Sequence, residues 1–465
     1  MIRVALPTGD LRKQTAAMLD AVGAGIEPYA AGSRELRFPM LAGAAVARVF
    51  REKDIPVQVA LGNYDIGICG STWIEELAQR FPNHDVVRLR DLGFGAQSLW
   101  LAAAGGGEAA AASTRIVSEY PNIAEALARR LRLPRYRVFP VWGAAEAYPP
   151  EDADIVLIAA DDAAAIEAHG LRAIAKVLDG SSWLIANRRS IAEKDLSSVM
   201  SKLLVAGSSS PAQVLIAPQS LGMREGAPHP PRTKLRLALP DGHAQSHTIA
   251  ALQMAGIRVF GYDEGTVVRR PEIDVAGVEV KVIRPQDMPQ QVAIGQFDLA
   301  VTGRDWLFDH VVQFPSSPVE EIVDLRRSIY GLAVIVKDVP AENVPDALAW
   351  WRSRSSAPIR VASEYPNIAD HFARERHFGR YSVIPIQGAS EGFVPEDAEI
   401  LIEGIDTGSS VRANKLTVLE RFFESTNCVI ANKQRPDGAM RTVFDALVEK
   451  LRTGAAELVA AGGGA

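Results

Sequence analysis

The stretch from Ile400 to Asn414 has the residue types and spacing of a phosphate-binding loop. An apolar run typical of a buried strand carries Glu403 near its end, and a predicted helix follows. Between strand and helix lies a small polar segment made of Asp406, Thr407, Gly408, Ser409 and Ser410. Such a segment can direct backbone N–H groups and hydroxyls at a phosphate, aided by the helix dipole, while the two acids accept hydrogen bonds from a sugar diol. An ordinary strand, turn and helix N-cap fits the same pattern and stays open.

Other short patterns in the chain carry weaker chemical signals. His243 and His247 are four residues apart on a predicted helix, a spacing that can bind zinc. No glutamate of the HExxH type accompanies them, so we expect surface or core histidines and no protein-borne metal site. Ser98 stands where a dinucleotide-binding turn would have its third glycine, and the chain has no Walker A lysine motif. Dinucleotide and P-loop sites are therefore disfavoured.

The elements that would position these residues occur twice. Asp54-Ile55-Pro56 recurs at an offset of 233 as Asp287-Met288-Pro289, and segment 118–124 recurs at an offset of 245 as segment 363–369. Repetition of a seven-residue word in register indicates a duplicated chain. Because the offset grows, the second copy carries 12 extra residues, which we place near 339–356.

Within each copy, short apolar runs alternate with helical patterns, which predicts an α/β fold with largely parallel sheets. In copy one we predict strands at 2–6, 66–69, 137–141 and 155–158 and helices at 11–22 and 123–131. The change of register near residue 100 predicts two lobes in each copy, with ligand sites in the crevice between them. The predicted domains are copy one at 1–205, an exposed linker rich in Ser and Pro at 206–233, and copy two at 234–455.

The composition excludes several classes of protein. With 48% hydrophobic and 23% charged residues the chain is globular, and each half can bury a core. Lys and Arg total 50 against 56 acidic residues, so no nucleic-acid partner is expected. Cys69 and Cys428 are too few for a disulfide framework. We find no apolar run that could cross a membrane and no signal peptide, which predicts a cytoplasmic protein.

The order of the sequence words is specific. Both copies carry an LP-x-G turn, an Asp-x-Pro segment and a Tyr-Pro-Asn word, and copy two adds the segment from Glu403 to Asn414. This order resembles ATP phosphoribosyltransferase, the first enzyme of histidine biosynthesis, over roughly residues 2–205 and 235–452. The resemblance implies two tandem units of periplasmic-binding-protein type, each with two α/β lobes around a cleft.

The resemblance also implies roles for individual residues. It assigns Glu403 and Asp406 to the ribose of phosphoribosyl pyrophosphate as catalytic residues, and Thr407, Gly408, Ser409 and Ser410 to its 5-phosphate. Family positions that line the cleft and would contact the nucleotide fall on Arg284, Asp287, Thr302, Gly303 and Asp305. Arg and Asp three apart also commonly form a structural ion pair, so that alternative stays open for Arg284 and Asp287.

In copy one the positions aligned with this loop have lost its chemistry. Ile158 replaces the catalytic glutamate, Asp162 replaces the threonine, and alanines occupy positions 163–165. Because like charges repel strongly in a desolvated site, we predict that this loop does not bind phosphoribosyl pyrophosphate. Copy two departs from the family as well, since Asp241 and His243 flank the turn glycine where a basic residue is usual. Arg326 or Arg327 can supply charge from a different position.

The resulting prediction is a phosphoribosyl transfer from phosphoribosyl pyrophosphate to ATP in copy two, with Mg²⁺ accompanying the donor. Copy one would serve as the scaffold of an intramolecular pseudo-dimer, which can assemble further. Two alternatives remain open: a non-catalytic nucleotide-binding or regulatory paralogue, and a phosphoribosyltransferase with another nitrogen-heterocycle acceptor. The residues after 452 are too few for the histidine-sensing domain of longer relatives, so feedback by that route is not expected.

Overall fold

A computed structural model describes residues 1–95, 97–104, 113–205, 232–265, 268–406 and 408–462. Copy one contains the strands β1 Ile2–Pro7, β2 Arg37–Met40, β3 Ala45–Phe50, β4 Ile66–Gly70, β5 Val86–Asp91, β6 Ser98–Ala104, β7 Thr114–Ser118, β8 Tyr136–Pro140, β9 Ile155–Ala160, β10 Leu171–Leu178 and β11 Ser182–Asn187. Its helices are α1 Leu11–Ala21, α2 Glu27–Ala30, α3 Ile55–Ala60, α4 Ser71–Arg80, α5 Pro121–Arg130, α6 Ala163–Glu167, α7 Arg188–Glu193 and α8 Ser197–Leu203.

Copy two repeats this order of elements. Its strands are β12 Leu235–Pro240, β13 Val259–Phe260, β14 Glu272–Ile273, β15 Val278–Ile283, β16 Leu299–Gly303, β17 Val319–Asp324, β18 Tyr330–Val336, β19 Ile359–Ser363, β20 Tyr381–Pro385, β21 Ile400–Ile405, β22 Thr417–Ser425 and β23 Asn427–Asn432. Its helices are α9 His243–Met254, α10 Met288–Ala293, α11 Arg304–Gln313, α12 Val344–Arg352, α13 Pro366–Glu375, α14 Ser409–Ala413 and α15 Gly438–Gly462. Short 3₁₀ turns occupy Leu41–Gly43, Glu52–Asp54, Ala145–Ala147 and Ser390–Phe393.

Each copy folds into two α/β lobes, which confirms the predicted architecture. The first and second lobes of copy one have sheets in the order β2-β3-β1-β4-β11-β5 and β10-β6-β9-β7-β8. Those of copy two are β15-β12-β16-β23-β17 and β20-β19-β21-β18-β22. The sheets are mixed rather than largely parallel, because strands such as β11 and β23 return from the other lobe and pair antiparallel. The central strand β4 is buried along its whole length, as expected for a sheet covered on both faces.

The lobes of each copy are joined by two crossing segments. In copy one the chain passes between the sheets at the described residues 92–95 and 97 and at residues 179–181, and in copy two at residues 325–329 and 426. These segments run close together, since a Cβ on Gly180 would lie 1.6 Å from the carbonyl oxygen of Gln97. The boundary predicted near residue 100 is therefore this double crossing, which places a cleft between the lobes.

The two copies share their hydrophobic cores in a crossed arrangement. One cluster joins Phe50 and Tyr64 of the first lobe of copy one with Phe393 of the second lobe of copy two. The rings of Phe50 and Phe393 are 5.1 Å apart. A second cluster joins Tyr148 of copy one with Phe297 of copy two, the repeat equivalents of Phe393 and Tyr64. Each first lobe thus packs on the second lobe of the other copy, related by a pseudo-twofold axis.

Buried ion clusters follow the same pseudo-symmetry. Asp152, which is 1% exposed, accepts hydrogen bonds from Arg236 at 2.8 Å and Lys281 at 2.5 Å across the interface. Its equivalent Asp397 accepts a 2.7 Å hydrogen bond from the Tyr64 hydroxyl and lies 3.6 Å from Arg48. A charge buried this deeply is stable only with its partner, so these contacts favour one arrangement of copy one against copy two.

The extra residues of copy two and the linker between the copies are both predicted from the sequence. The extra residues of copy two contain helix α12, which has no counterpart among the described residues of copy one. Most of the predicted linker, residues 206–231, lies outside the described residues. Within the described ranges, no helix has both the length and the apolar composition that a membrane crossing needs.

Candidate functional site

The predicted phosphate loop lies at the end of β21 in the second lobe of copy two. This strand pairs parallel with β19 and antiparallel with β18, so its C-terminal end opens towards the interlobe cleft. Gly408 caps helix α14 with a φ of +67°, a left-handed conformation that strains residues with a Cβ. Asp406 is exposed, whereas Ser409 and Ser410 are half-buried. The predicted site residue Thr407 lies outside the described residues.

Glu403 is held in the strand just before this loop. One carboxylate oxygen accepts a 3.0 Å hydrogen bond from the N–H of Gly404, and the other, Oε2, is buried without a hydrogen-bond partner among the described residues. Burial, and then repulsion from Glu364, raise the pKa of Glu403 well above its usual value, although the N–H of Gly404 and the nearby hydroxyl of Ser390 oppose that rise. A buried carboxylate oxygen without a partner is costly unless a ligand donates to it.

Residues of copy one complete the loop from across the interface. Arg34 Nη1 donates a 2.6 Å hydrogen bond to the hydroxyl of Ser409. The N–H of Leu36 donates to the side-chain oxygen of Asn414 at 3.1 Å, and Asn414 Nδ2 donates to the carbonyl oxygen of Ser410 at 2.9 Å. An arginine from the first copy thus stands beside the predicted phosphate position of the second.

His247 at the start of α9 and Arg327 of the crossing segment lie near this loop. The rings of His243 and His247, at the start of α9, are 5.5 Å apart. Burial, then His243 and Arg327, lower the pKa of His247, whereas Asp406 opposes that shift. Asp406 and Arg327 are therefore both close enough to influence this imidazole. Arg326 and Arg327 are predicted as substitutes for the basic residue that the LP-x-G turn lacks. Arg327 is the one that lies close to His247.

Thr302, Gly303 and Asp305, which are predicted to line the cleft, lie where β16 ends and α11 begins. The Thr302 hydroxyl donates to the carbonyl oxygen of Pro285 at 2.9 Å. Asp305, with no exposed surface, accepts hydrogen bonds from the Tyr330 hydroxyl at 2.6 Å and the Ser425 hydroxyl at 2.7 Å. A Cβ on Gly303 would lie 2.0 Å from the Asp305 carboxylate. Asp305 thus contacts the residues next to the two crossing segments, whereas Thr302 bonds within the first lobe. The predicted contact of all three residues with the nucleotide stays a prediction.

Arg284 and Asp287 lie where copy two meets the second lobe of copy one. Arg284 donates to Asp241 at 3.1 Å, and Asp287 accepts a 3.0 Å hydrogen bond from the N–H of Trp142. The repeat equivalent of Asp287 is Asp54, which accepts from the N–H of Gln387 at 3.3 Å. Burial raises the pKa of Asp287 to about 8 and that of Asp54 to about 7.

These raised values make stability depend on pH. An acid whose pKa is raised by folding contributes stability that is complete below its unfolded value near 4 and is lost as pH rises through its folded value. We expect the free energy of unfolding to fall between pH 6 and pH 9, and Asp287→Asn to reduce that fall by at most about 1.4 kcal/mol per pH unit. Urea denaturation at both pH values measures this. Asp346→Asn on the exposed start of α12 is the control, and equal slopes for Asp287→Asn and wild type would contradict the assignment.

Copy one retains a cleft with different chemistry. Its cavity of about 580 Å³ is lined by Asp10, Glu52 and Asp161 with Lys13 and the aromatic pair of Trp73 and Tyr120. At the loop, Asp162 caps α6 by accepting a 2.9 Å hydrogen bond from the N–H of Ala165. The carboxylate thus occupies the helix N-terminus that a phosphate would need.

The sequence was compared with known families and proteins. It matches the family described as "HisG: ATP phosphoribosyltransferase" over residues 51–205 and 284–453, one match in each copy. The chain belongs to the ATP phosphoribosyltransferase family. The two matched regions agree with the tandem copies inferred from the repeated words.

Individual members of this family align with one copy at a time. An ATP phosphoribosyltransferase of Chlorobaculum parvum is 34% identical over 201 residues, and one of Chlorobium chlorochromatii is 31% identical over 200 residues. One of Saccharolobus solfataricus is 30% identical over 205 residues. Each alignment covers 43% of this chain and 64% of the relative, so the chain spans less than two thirds of the length of these curated relatives.

Solved structures show a distant similarity. The "ATP phosphoribosyl transferase (HisG:HisZ) complex from Thermotoga maritima" is 17% identical with a TM-score of 0.38, covering 48% of this chain and 99% of that one. A histidine kinase sensor domain "with similarity to periplasmic binding proteins" is 12% identical with a TM-score of 0.31, covering 50% of this chain and 92% of that one. Similarity at this level supports no further conclusion.

Sequence reasoning missed two members of the site of this ATP phosphoribosyltransferase homologue. Arg34 gave no signal, because it lies in copy one, 375 residues from the hydroxyl that it contacts. Glu364, which raises the pKa of Glu403, was visible only as part of the repeated Tyr-Pro-Asn word. A position-by-position comparison of the copies would have marked Arg34, since its repeat equivalent is Val267.

Proposed function

We propose that this protein transfers the phosphoribosyl group of phosphoribosyl pyrophosphate to ATP in the cleft of copy two. The observation that carries the proposal is Glu403, whose Oε2 is buried immediately before the loop and accepts no hydrogen bond from the residues that the structure describes. A ribose hydroxyl would supply the missing hydrogen bond. Family membership supports the reaction, and the Arg34 contact with Ser409 supports its placement in copy two.

The binding step follows from charge and hydrogen bonding. The N–H groups at the start of α14, with the hydroxyls of Ser409 and Ser410, would hold the 5-phosphate. Arg34 would add a charge-assisted hydrogen bond from copy one. Arg327, which is close enough to His247 to lower its pKa, would attract the pyrophosphate. Asp406 would accept a hydrogen bond from the ribose.

In the transfer step the protein mainly positions the two substrates and stabilises the charge that develops on the ribose. A nitrogen of ATP forms a bond to the anomeric carbon while the bond to pyrophosphate breaks, and pyrophosphate leaves with the electron pair. The ribose gains positive charge during this exchange. The raised pKa of Glu403 means that the empty site stabilises its negative carboxylate poorly. The carboxylate therefore interacts more favourably with the positively charged ribose of the transition state than with the neutral ribose of the ground state.

Mg²⁺ would enter with the donor. Magnesium is commonly held by one or two protein carboxylates together with substrate phosphates, and Glu403 and Asp406 are a donor set of that kind. In the parts of the chain that the structure describes, no three His, Cys, Asp or Glu side chains form a metal-binding group. When bound, the ion would neutralise the charge of the departing pyrophosphate.

A turnover assay with ATP and phosphoribosyl pyrophosphate tests this proposal. We expect Glu403→Gln to lower kcat roughly 100-fold, because the stabilising carboxylate is lost while the shape is kept. Glu399→Gln is the matched control, since Glu399 precedes the same strand at its other end, where it pairs with Arg360. A wild-type protein that is folded but inactive, or a Glu403→Gln variant with full activity, would remove the proposal.

One observation favours a second candidate, transfer to another nitrogen heterocycle. Asp241 occupies the LP-x-G turn, and its carboxylate is bound by Arg269 at 2.7 Å and by Arg284 at 3.1 Å. These contacts neutralise the Asp241 carboxylate. The described LP-x-G turn itself contains no lysine or arginine that could bind the triphosphate of ATP. Thermal stabilisation by phosphoribosyl pyrophosphate without stabilisation by ATP would select this alternative, and stabilisation by nucleotide alone would select a regulatory paralogue.

A further inference from the structure

A large cavity lies where the four lobes meet; its lining includes Glu364, which influences Glu403, but none of the phosphate loop. This junction cavity has a volume of about 670 Å³ and is lined by Lys53, Glu119 and Trp142 of copy one and by Asp287, Trp306 and Glu364 of copy two. The rings of Trp142 and Trp306 are 5.6 Å apart at 62°. A volume of this size is typical of small-molecule sites.

Acidic groups outnumber cations in the lining of the junction cavity. Burial raises the pKa of Glu119, and it raises those of Glu364 to about 7 and Asp287 to about 8. Burial lowers the pKa of Lys53, the one lysine of the lining, whose ammonium lies 5.3 Å from the Trp142 ring centroid. Asp309 and His310 also line the cavity, and burial raises the pKa of Asp309 and lowers that of His310. The lining therefore lacks enough positive charge to keep its four carboxyls ionised at neutral pH.

Charged groups behind the lining do not remove this deficit. Arg284 and Arg269 favour ionisation of Glu119 while Glu146 opposes it. Arg51 favours ionisation of Glu364, whereas Asp54 and Glu391 oppose it. Arg284 and Arg269 are already hydrogen-bonded to Asp241. The titratable and charged groups that line or surround the cavity are Arg51, Lys53, Arg269, Arg284 and His310, against Asp54, Glu119, Glu146, Asp287, Asp309, Glu364 and Glu391.

Two cavity residues also carry hydrogen-bond acceptors without donors. The side-chain oxygens of Gln286 and Gln387 are buried and have no partner among the described residues. Gln387 belongs to copy two and, through its N–H, contacts Asp54 of copy one. Unmatched acceptors beside carboxyls favour a ligand rich in N–H donors.

We propose that the junction cavity binds a small organic cation, a protonated amine or amidine carried by a flat apolar group. The nitrogen would donate to Glu119, Asp287 and Glu364, and the flat group would pack on Trp142 and Trp306. Charge-assisted hydrogen bonds and a cation above an indole face both stabilise such a ligand. The cavity spans both copies, so its occupant would fix the angle between them. This site does not depend on phosphoribosyl transfer.

The probes are benzylamine, benzyl alcohol and benzoate, which share a shape and differ in charge. Calorimetric titration of the full-length protein at pH 7 should show benzylamine binding at least tenfold more tightly than benzyl alcohol, and no binding of benzoate. Titrations in phosphate and in Tris should give different heats, because ionisation of the carboxyls releases protons when the amine binds. Equal heats in the two buffers, or equal affinity for amine and alcohol, would overturn the proposal.

Substitutions in the lining test whether benzylamine binds in the junction cavity. Glu364→Gln and Trp142→Leu should each weaken benzylamine binding at least tenfold, while Glu375→Gln, an exposed acid on α13, should leave it unchanged. Thermal unfolding checks that each variant is folded, and Glu119→Gln replaces any that is not. Unchanged affinity in folded lining variants would overturn the proposal. Competitive displacement of benzylamine by ATP would assign the cavity to the nucleotide site and would likewise overturn it.

Discussion

Gly408→Asp should abolish phosphoribosyl transfer while leaving the protein folded. Gly408 has a φ of +67° at the cap of α14, where the proposed 5-phosphate lies, so an aspartate would place negative charge beside that group. Two charges 4 Å apart repel by about 4 kcal/mol at an effective dielectric constant of 20, which corresponds to roughly a thousandfold in rate or affinity. Steady-state kinetics with phosphoribosyl pyrophosphate as the varied substrate measures the loss.

Two controls separate charge from backbone strain and from position. Gly408→Asn has nearly the same shape as the aspartate variant and tolerates a left-handed backbone equally well, but it is neutral. It should keep far more activity. Ala163→Asp makes the equivalent change in copy one, beside the existing Asp162, and should leave turnover within about twofold of wild type. Equal damage from the asparagine and aspartate variants would show that charge at this position is not the cause.

Asp152→Ala should destabilise the whole chain by about 3 kcal/mol or more. The change leaves Lys281, which is 2% exposed, and Arg236, which is 8% exposed, without their shared partner at the interface between copies. Removing one partner of a buried ion pair is costly because the remaining charge stays desolvated. Urea denaturation monitored by tryptophan fluorescence measures the free energy of unfolding. The neighbouring Glu151 contacts Lys281 at 3.0 Å and limits the loss.

The repeat supplies an equivalent position for comparison. Asp397→Ala removes the acceptor of the Tyr64 hydroxyl and one of the two acidic partners of Arg48, and because Arg48 keeps Glu396 it should cost less than Asp152→Ala. Asp445→Ala removes one member of an exposed pair with Arg441 on α15 and should cost less than about 1 kcal/mol. If Asp152→Ala costs no more than Asp445→Ala, the buried cluster does not hold the copies together. Because the hydrophobic cores are shared, these experiments use the full-length chain rather than an isolated copy.

Much of the fold could be predicted because it depends on local patterns. The apolar runs at 2–6 and 66–69 became β1 and β4, and the helical pattern at 11–22 became α1. The register change near residue 100 marked the double crossing between lobes. The sheets proved mixed rather than largely parallel, since strand direction depends on which lobe the chain returns from. No local pattern records that return.

The site was predicted only in part, for a similar reason. The loop after β21 was visible as consecutive residues, whereas Arg34 approaches Ser409 from the other copy. Thr302, Gly303 and Asp305 match family positions, yet the hydrogen bonds of Asp305 connect it with Tyr330 and Ser425 beside the crossing segments. Sequence spacing did not distinguish a residue that faces the cleft from one that fastens the lobes, because both occupy strand ends.

The sequence by itself determined that this protein is a tandem member of the ATP phosphoribosyltransferase family with one degenerate loop. Repeated words, their changing offset and the loss of Glu403 chemistry at Ile158 are properties of the residue order alone. Only the tertiary structure decided that each first lobe packs on the second lobe of the other copy. The physical reason is that burial of apolar surface and of paired charges depends on which distant surfaces meet. That packing brings Arg34 to the loop and encloses the junction cavity between the copies.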